Sequence, residues 1–584
     1  IVAGASVDSG GMTFAPGTGF TLRDAAIAAT SGDEDESITT TGSVVPAMSW
    51  GPSAQHWVMA AASFLPSGTG GGTGSTVSVL TYHNDLARTG QNLNETNLTP
   101  ANVNTATFGK KFTDPVDGFI YAQPLYMPNL AVSGKGTHNA VFVATENDTV
   151  YAFDADASGS PLWQTSLLLP GEQPLAITDY DSTGGCTDLI TTTGVTGTPV
   201  IDPSTNTLYV IANSKTSSSG PFHQRLHAID ITTGLEKAGS PVEVQATVSG
   251  TGDGGSTVTF SPLMQLQRPG LALANGVVYF GFGSHCDIQT YHGWLFAYSA
   301  SSLNQLAVYV TTANGAEGAI WQAGGAPSID SANNIFVAIG NGTFDANTNG
   351  VDYGDSYLKL ALSGSTVTVQ DFFTPFNQAQ LFSADLDLGS SAPVLLPDSA
   401  GSAAHPHLMI GAGKGGTIYL VDRDNMGKFN SSTNNVVQFI DNAIGNSSSG
   451  ENFSTAAYWN GFVYYGGVSD KLKAFAITNG ALSTSPTSQA TTVFGFPGST
   501  PAISANGTSN GIVWALQLDH FTGGPAILHA YDATNLSTEL YNSTQAANSR
   551  DQADPAVKFT VPTIANGKVY FGTRDHLDVY GSLP

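Results

Sequence analysis

Residue types that can act as nucleophiles or metal ligands are concentrated in the segment GSHCDIQTYHGW (283–294). A cysteine beside a histidine can form a nucleophilic pair, and clustered histidines can bind a metal ion. No second cysteine lies near Cys286 in the sequence, so neither chemistry has a complete set of residues here. No motif supports Ser-His-Asp hydrolase chemistry, and the glycine-rich runs lack the lysine of a phosphate-binding loop.

A second group of polar residues forms the run HQRLH, which contains His223, Arg225 and His227. In an extended strand these three side chains share one face. The arginine would repel a metal cation, so the pattern favours a structural role over a metal site.

The chain has two cysteines, Cys186 and Cys286, without the CxxC spacing of a metal site. In an exported protein the simplest prediction is that they form one disulfide, which would join the loop before the second repeat unit to the third unit.

Composition limits the classes of partner. The net charge is −26, the pI is near 4.5, and only 19 basic residues are present, without a basic run. Nucleic-acid binding needs clustered lysine and arginine, so it is excluded. No stretch approaches the ~18 apolar residues of a membrane span. Charged residues make up 11% of the chain, against roughly 25% in an average protein, and we therefore expect a secreted, extracellular or cell-surface protein, with glycan contact left open.

The elements that must position these residues repeat along the chain. An alternating apolar strand that ends in a turn residue occurs eight times, each copy preceded by a second apolar strand. The copies are VYAFDA (150–155), LHAIDI (226–231), LFAYSA (295–300), LKLALS (358–363), IYLVDR (418–423), LKAFAI (472–477), LHAYDA (528–533) and LDVYGS (577–582). Four antiparallel strands repeated radially form a propeller blade, so the sequence predicts an all-β fold with an eight-bladed β-propeller.

The eighth unit reaches Pro584 with only three strands. We expect FGKKFT (108–113) to supply the missing outer strand, because closing the ring from both ends removes open sheet edges.

Residues 1–64 precede the repeats and carry several strand-like runs, which predicts a small partial β-sandwich. Residues 65–80 form a Gly/Ser-rich linker, and residues 81–584 form the propeller. Three or four strands leave an apolar face and two edges exposed, and exposed edges recruit strands from other chains. We therefore expect self-association through residues 1–64, unless this segment is a truncated domain.

The region from about 320 to 427 resembles the pyrroloquinoline quinone (PQQ) alcohol dehydrogenases, the family that includes methanol dehydrogenase. The matching motifs are IFVAIGNG, FFTP, ADLDLGSSAPVLLPD and GKGGTIYLVDRDNMG, in that order. The blade repeats extend a weaker likeness over residues 106–584, and the whole chain looks most like secreted bacterial propellers with PQQ-like repeats.

The resemblance implies a calcium ion and PQQ, with roles for particular residues. Asn341 would be a metal ligand, joined by Asp387. Asp387, or alternatively Asp385, would accept the alcohol proton, and Lys414 would contact the quinone oxygen. Trp321 or Trp294 could form the floor under the quinone. Side chains of these types at strand–turn junctions also commonly bond only to the backbone.

Three functions follow as hypotheses. The first is a non-catalytic extracellular propeller for assembly, surface coating or ligand binding, which could form oligomers or filaments. The second is a calcium- and PQQ-dependent alcohol dehydrogenase, which the motifs around Asn341, Asp387 and Lys414 favour. The third is a carbohydrate-binding or carbohydrate-cleaving propeller. Propellers host many functions, so the fold does not choose among them.

Overall fold

The structure, a computed structural model, describes residues 77–190, 192–288, 290–445 and 451–584, together with the backbone of short strands before residue 63. The chain divides into two compact units, Ile1–Thr73 and Gly74–Pro584.

The second unit is an eight-bladed β-propeller. In each blade the antiparallel strands follow one another outward from the axis, as alternating apolar patterns with intervening turns predict. The main strands of blades one to four are Leu125–Val132, Gly136–Ala144, Thr149–Asp154 and Trp163–Ser166; Val200–Asp202, Thr207–Lys215, Phe222–Asp230 and Val242–Glu243; Ala272–Ala274, Val277–Ser284, Trp294–Ser299 and Gln305–Val310; and Ser328–Ile329, Ile335–Ala338, Tyr357–Ser363 and Thr366–Thr374. Those of blades five to eight are Val394–Leu395, Leu408–Ala412, Ile418–Asp422 and Gln438–Ile440; Ala457–Trp459, Phe462–Gly466, Asp470–Thr478 and Ser488–Phe494; Ala502–Asn506, Ser509–Gln517, Ile527–Asp532 and Glu539–Asn542; and Thr563–Ala565, Lys568–Gly572, His576–Ser582 and Phe108–Pro115.

Short elements join or extend the blades. Within the described ranges, five extra strands pair with blade strands: Gln91–Asn92, Gln173–Ala176, Gln265–Leu266, Lys428–Phe429 and Ala481–Leu482. Thr192–Thr193 pairs in turn with Gln173–Ala176, and Thr247–Ser249 forms a separate hairpin with Thr257–Thr259. The helices have at most six residues and are Ile177–Tyr180, Gln322–Gly324, Ala346–Thr348, Gln378–Ser383, Leu388–Ser390, Asp398–Ala400 and Ala547–Ser549. Among the described residues, no helix has the length and apolar character needed to cross a membrane.

Apolar side chains from facing blades form the core. The cluster between blades two and three, for example, joins Tyr209 and Leu226 to Phe280, Trp294 and Phe296. Because each sheet buries both faces against its neighbours, the recurrent strand in every blade is apolar at nearly every position.

The ring closes as the sequence predicts. The strand Phe108–Pro115 pairs antiparallel with His576–Ser582, and Phe112 lies opposite Val579. Lys110 in the closing strand lies 2.8 Å from Asp578 and 2.7 Å from Asp554, so ion pairs tie the two ends of the ring together.

Residues 79–92, here called the axial segment, run past the innermost strands of the whole ring. They make at least one hydrogen bond with the innermost strand of each blade or the residue next to it. The bonds are Val79 N to Tyr126 O (2.8 Å), Ile201 N to Leu80 O (2.8 Å), Thr81 Oγ1 to Leu271 O (3.4 Å), Ile329 N to Leu86 O (2.8 Å), Leu395 N to Ala87 O (2.9 Å), Tyr458 N to Thr89 O (2.8 Å), Ile503 N to Gly90 O (2.7 Å) and Asn92 Nδ2 to Ile564 O (3.0 Å). The axial segment therefore fills the centre of the ring, where short inner strands would otherwise leave a channel.

The first unit contains a four-stranded sheet in the order Thr21–Ala25, Ser31–Asp35, Val2–Val7, Trp57–Ala62, and a pair formed by Thr13–Ala15 and Ser49–Gly51. One of the strand-like runs expected in residues 1–64, SITTTGSVV (37–45), lies outside the described residues. The predicted boundaries of 1–64, 65–80 and 81–584, and the partial sandwich, stay predictions.

Candidate functional site

Connections at the ends of blade strands carry the four polar residues singled out in the sequence. Asn341 follows the second strand of blade four, Ile335–Ala338, and Lys414 follows the corresponding strand of blade five, Leu408–Ala412. Asp385 and Asp387 lie between these blades, after the short helix Gln378–Ser383. Equivalent ends of adjacent blades lie side by side in a propeller, so these loops meet.

The four side chains contact one another directly. The backbone N–H of Asn341 donates to Asp387 Oδ1 at 2.7 Å, and its side-chain amide donates to Asp385 Oδ1 at 2.9 Å. The Lys414 ammonium lies 2.6 Å from Asp387 Oδ2 and 3.1 Å from Asp385 Oδ1. Asn341 and Asp387 are buried, whereas Asp385 is exposed.

One ligand atom in this group has no partner. The side-chain oxygen Oδ1 of Asn341 is buried and accepts no hydrogen bond within the described part of the chain. Buried polar atoms are normally satisfied, so an orphaned amide oxygen beside two carboxylates is a feature that a bound cation would explain.

Trp321 forms the adjacent wall, with the Lys414 ammonium 5.7 Å from the ring centroid. Gly340 lets these groups approach each other, because a Cβ at this position would lie 2.6 Å from Asp387 Oδ1 and 3.1 Å from Trp321 Nε1. A larger residue at Gly340 would push the carboxylate or the indole away.

Burial and charge both act on the ionisable groups. Burial raises the pKa of Asp387, and Lys414 counteracts this by stabilising the carboxylate. Burial alone would lower the pKa of Lys414, but Asp387 and Asp385 raise it to about 12, so the lysine is charged at neutral pH. Burial, reinforced by the nearby aspartates, also raises the pKa of Glu317. Three acidic groups, Asp385, Asp387 and Glu317, therefore lie near the single positive charge of Lys414.

A cavity of about 250 Å³ lies beside this group of residues. Trp321, Asp387 and Lys414 lie on its wall, and Arg268 and Lys558 line it as well. The lining also includes four aromatic side chains, Tyr291, Phe453, Phe496 and Phe559, and three carboxylates, Asp188, Asp287 and Glu451. Asn341 and Asp385 do not line the cavity themselves. Asn341 bonds to Asp387 and Asp385 bonds to Lys414, and both of these partners do line it. Trp294, the alternative quinone floor, is instead fully buried in the core between blades two and three.

The predicted pairing of Cys186 with Cys286 is present as a disulfide with a Cα–Cα distance of 5.8 Å. It joins the loop before blade two to the loop between the second and third strands of blade three. Cys286 lines the cavity, and its backbone N–H donates to Asp188 Oδ2 at 2.7 Å. The disulfide therefore fixes one wall of the cavity.

The two histidine-containing clusters are used structurally. Arg225 contacts both oxygens of Glu172 at 2.8 Å, and His223 lies 2.9 Å from Glu243. His285 is fully buried with its ring stacked 3.9 Å from that of Tyr180, and burial lowers its pKa to about 3. Such a histidine is neutral and holds the loop in place.

Within the described ranges, three or more His, Cys, Asp or Glu side chains bring their ligand atoms together only at Cys186, Asp188 and Cys286. The two sulfurs of this group are already joined in the disulfide.

Sequence reasoning did not select Arg268, Lys558 or the three cavity phenylalanines. Arg268, Phe453 and Phe559 each lie four residues before the first strand of a blade. For Arg268 and Phe559 the sequence contained a signal, because a proline just before the strand marks its start in RPG (268–270) and TVP (560–562).

No family model matches the chain, and no curated protein matches it. Solved structures do match in fold. A quinohemoprotein alcohol dehydrogenase from Pseudomonas putida HK5 superposes with a TM-score of 0.55 at 13% identity, covering 86% of this chain and 80% of that one. The quinohemoprotein alcohol dehydrogenase from Comamonas testosteroni gives 0.55 at 14% identity with the same coverage. A europium-containing methanol dehydrogenase gives 0.54 at 11%, covering 86% and 98%. The chain thus resembles the quinoprotein alcohol and methanol dehydrogenases in its eight-bladed propeller fold.

Proposed function

We propose that this protein is an oxidoreductase of the quinoprotein dehydrogenase type, which binds PQQ and calcium in the cavity lined by Trp321, Asp387 and Lys414 and oxidises an alcohol. The observation that carries the proposal is the direct contact of Asn341, Asp385, Asp387 and Lys414 beside one cavity. These residues come from three separate connections, and all four belong to the sequence motifs that resemble the dehydrogenase family.

The residues fit both groups. The orphaned Oδ1 of Asn341 and the carboxylates of Asp385 and Asp387 are the hard oxygen ligands that calcium prefers. The face of Trp321 offers a flat wall for a planar ring system. When bound, the quinone and its calcium ion supply the electron acceptor and the Lewis acid of the reaction.

The protein residues supply the proton chemistry. Asp387 is the proposed base that accepts the hydroxyl proton of the alcohol, because burial makes its carboxylate more basic than in water. Lys414 keeps that carboxylate ionised before the reaction and places positive charge where negative charge develops.

The proposal is tested by alcohol oxidation with an artificial electron acceptor after PQQ and calcium are added. Wild type should turn over, and Asp387→Asn should lower kcat by about 10²- to 10⁴-fold, the usual contribution of a general base. Asp424→Asn, a change at an exposed carboxylate that pairs with His407 and does not line the cavity, should leave kcat unchanged. Equal rates for Asp387→Asn and wild type would refute the assigned base.

We also propose that the protein acts outside the cytoplasm, which is supported by the disulfide between Cys186 and Cys286. The expected assembly role of residues 1–64 and the expected glycan contact stay predictions.

A further inference from the structure

A second cavity, here called the blade-five pocket, takes part in no step of the proposed chemistry. Its volume is about 290 Å³, and within the described ranges it shares no lining residue with the cavity beside Asp387 and Lys414. Three segments line it: 376–388, which contains the short helix Gln378–Ser383, 413–419 and 434–442. Small-molecule pockets begin at about 300 Å³, so the blade-five pocket has room for a ligand of one ring.

The segment 376–388 supplies the apolar part of the lining. Leu381 and Leu388 are buried, and Leu386 is half-buried. Phe376 lines the same pocket and is nevertheless 41% exposed. An exposed aromatic ring at a small pocket offers a flat apolar surface to a ligand.

The other two segments supply most of the polar lining. The hydroxyl of Thr417 donates to Asp441 Oδ1 at 3.1 Å and lies beside the hydroxyl of Tyr419. Asn434 is 6% exposed, and its Oδ1 accepts the backbone N–H of Phe376 at 3.0 Å. This bond fixes which end of the Asn434 amide is the oxygen, and Nδ2 is therefore the end left for another partner.

Two amides of the pocket have unused hydrogen-bonding groups. Within the described part of the chain, Asn434 Nδ2 donates to no acceptor, and the buried Oδ1 of Asn377 accepts no hydrogen bond. Buried polar groups are normally satisfied. A free donor on Asn434 and a free acceptor on Asn377 therefore point to a ligand whose groups both donate and accept, as hydroxyl groups do.

The charges of the lining favour a neutral ligand. Among the described residues, no lysine, arginine or histidine lines the pocket, so an anion would have no cationic partner there. Asp441 is the single carboxylate in the lining, and it is exposed and bonded to Thr417. A calcium ion takes about six to eight oxygen ligands, which one exposed carboxylate does not provide.

We propose that the blade-five pocket binds a hexopyranose residue of a neutral carbohydrate. The sugar hydroxyls contact Asn377 and Asn434, and the C–H face of the ring lies on Phe376. A pyranose has both kinds of surface, since its hydroxyls donate and accept hydrogen bonds while its ring C–H groups are apolar. The site goes beyond the proposed dehydrogenase function and does not depend on it, because the two cavities have different linings.

Titration calorimetry on the full chain, without added PQQ or metal, tests the site with the methyl glycosides of glucose, galactose, mannose and N-acetylglucosamine. We expect at least one glycoside to bind with a Kd of about 1 mM or lower, which ligands of about a dozen non-hydrogen atoms can reach. Cyclohexanol, a ring of similar size with one hydroxyl, should bind at least tenfold more weakly. Absence of binding below about 10 mM for all of these glycosides, or equally tight binding of cyclohexanol, would overturn the proposal.

Matched variants assign the binding to the pocket. Phe376→Ala should weaken glycoside binding at least fivefold, and Phe382→Ala should not change it, because Phe382 is 43% exposed and lies outside the lining. Asn377→Ala should also weaken binding, with Asn304→Ala as its control, since Asn304 is exposed and outside the pocket. Equal affinities in Phe376→Ala and Phe382→Ala would contradict the assignment.

Asn434→Asp is a variant that keeps the fold. It retains the acceptor for the Phe376 N–H but replaces the free donor by an acceptor, so glycoside affinity should fall while circular dichroism stays that of wild type. Unchanged affinity in this variant would show that Asn434 does not contact the sugar and would refute the site. Failure of the dehydrogenase proposal is seen separately, because a protein that binds the glycoside but not PQQ retains the blade-five pocket and loses only the proposed oxidation.

Discussion

Charged side chains give the cavity two different ends. At one end Lys414 is held by Asp387 and Asp385, and at the other Arg268 and Lys558 lie against phenylalanine rings. Burial by itself lowers the pKa of both Lys414 and Lys558, but the net shifts are opposite because the neighbouring charges differ. The pKa of Lys414 is raised to about 12, whereas burial and the nearby Arg268 lower that of Lys558 to about 8.

Glu146 should make folding stability depend on pH. It is fully buried, and its Oε2 accepts a hydrogen bond from Gly194 N at 2.7 Å. Burial raises its pKa from 4.5 to about 7, so the folded state holds the proton over this range while the unfolded state releases it. The stabilisation is therefore complete below pH 4.5 and is lost as the pH rises through 7, by up to about 3 kcal/mol.

Glu146→Gln removes this titration while keeping an acceptor for Gly194. We predict that the variant gains stability relative to wild type between pH 5 and pH 8 in urea unfolding. An identical pH dependence in both proteins would show that Glu146 does not titrate in this range.

Strand elements were largely predictable from the sequence, because alternating apolar residues and turn residues are local signals. The third strand of each blade and the closing strand Phe108–Pro115 coincide with predicted segments. The axial segment was not predicted, since TYHNDLARTGQN has no apolar period and its hydrogen bonds reach all eight blades. Lys414 was predicted because it follows a recognisable strand motif, whereas Lys558 lies in a connection between blades, outside the repeated strands.

Arg88 anchors the axial segment. Its guanidinium is fully buried and donates to Pro327 O at 2.8 Å, Thr81 Oγ1 at 2.8 Å and Tyr82 O at 2.8 Å. Burial lowers the pKa of Arg88 only to about 10, so it stays charged at pH 7. We predict that Arg88→Met destabilises the propeller by more than about 2 kcal/mol, because buried acceptors lose charged donors. Lys111→Met, at an exposed site, should change the unfolding free energy by less than about 0.5 kcal/mol.

At the scale of the whole chain there are two compact units, and the second of them is a closed ring. Closure by Phe108–Pro115 and the axial segment both depend on residues that precede blade one, so the start of the propeller extends well before its first blade. Ile1–Thr73 is compact by itself, with its own four-stranded sheet. The assembly hypothesis concerns this unit alone.

Deletion of residues 1–73 tests that hypothesis. The shortened protein should keep the thermal unfolding temperature of the propeller, since the ring and axial segment remain complete. Light scattering should show that the full chain has a mass above that of one chain. The deletion variant should have the mass of a monomer. Monomers in both samples would refute self-association through this unit.

The central claim is that the axial site holds a cation and a quinone through Asn341, Asp387 and Lys414. Calorimetric titration of PQQ into the purified protein, with calcium and with a chelator, tests it most directly. We predict one PQQ per chain with calcium, at least tenfold weaker binding in the chelator, and loss of the calcium effect in Asn341→Ala. PQQ binding that is equally tight with and without calcium, or no binding in either condition, would contradict the account.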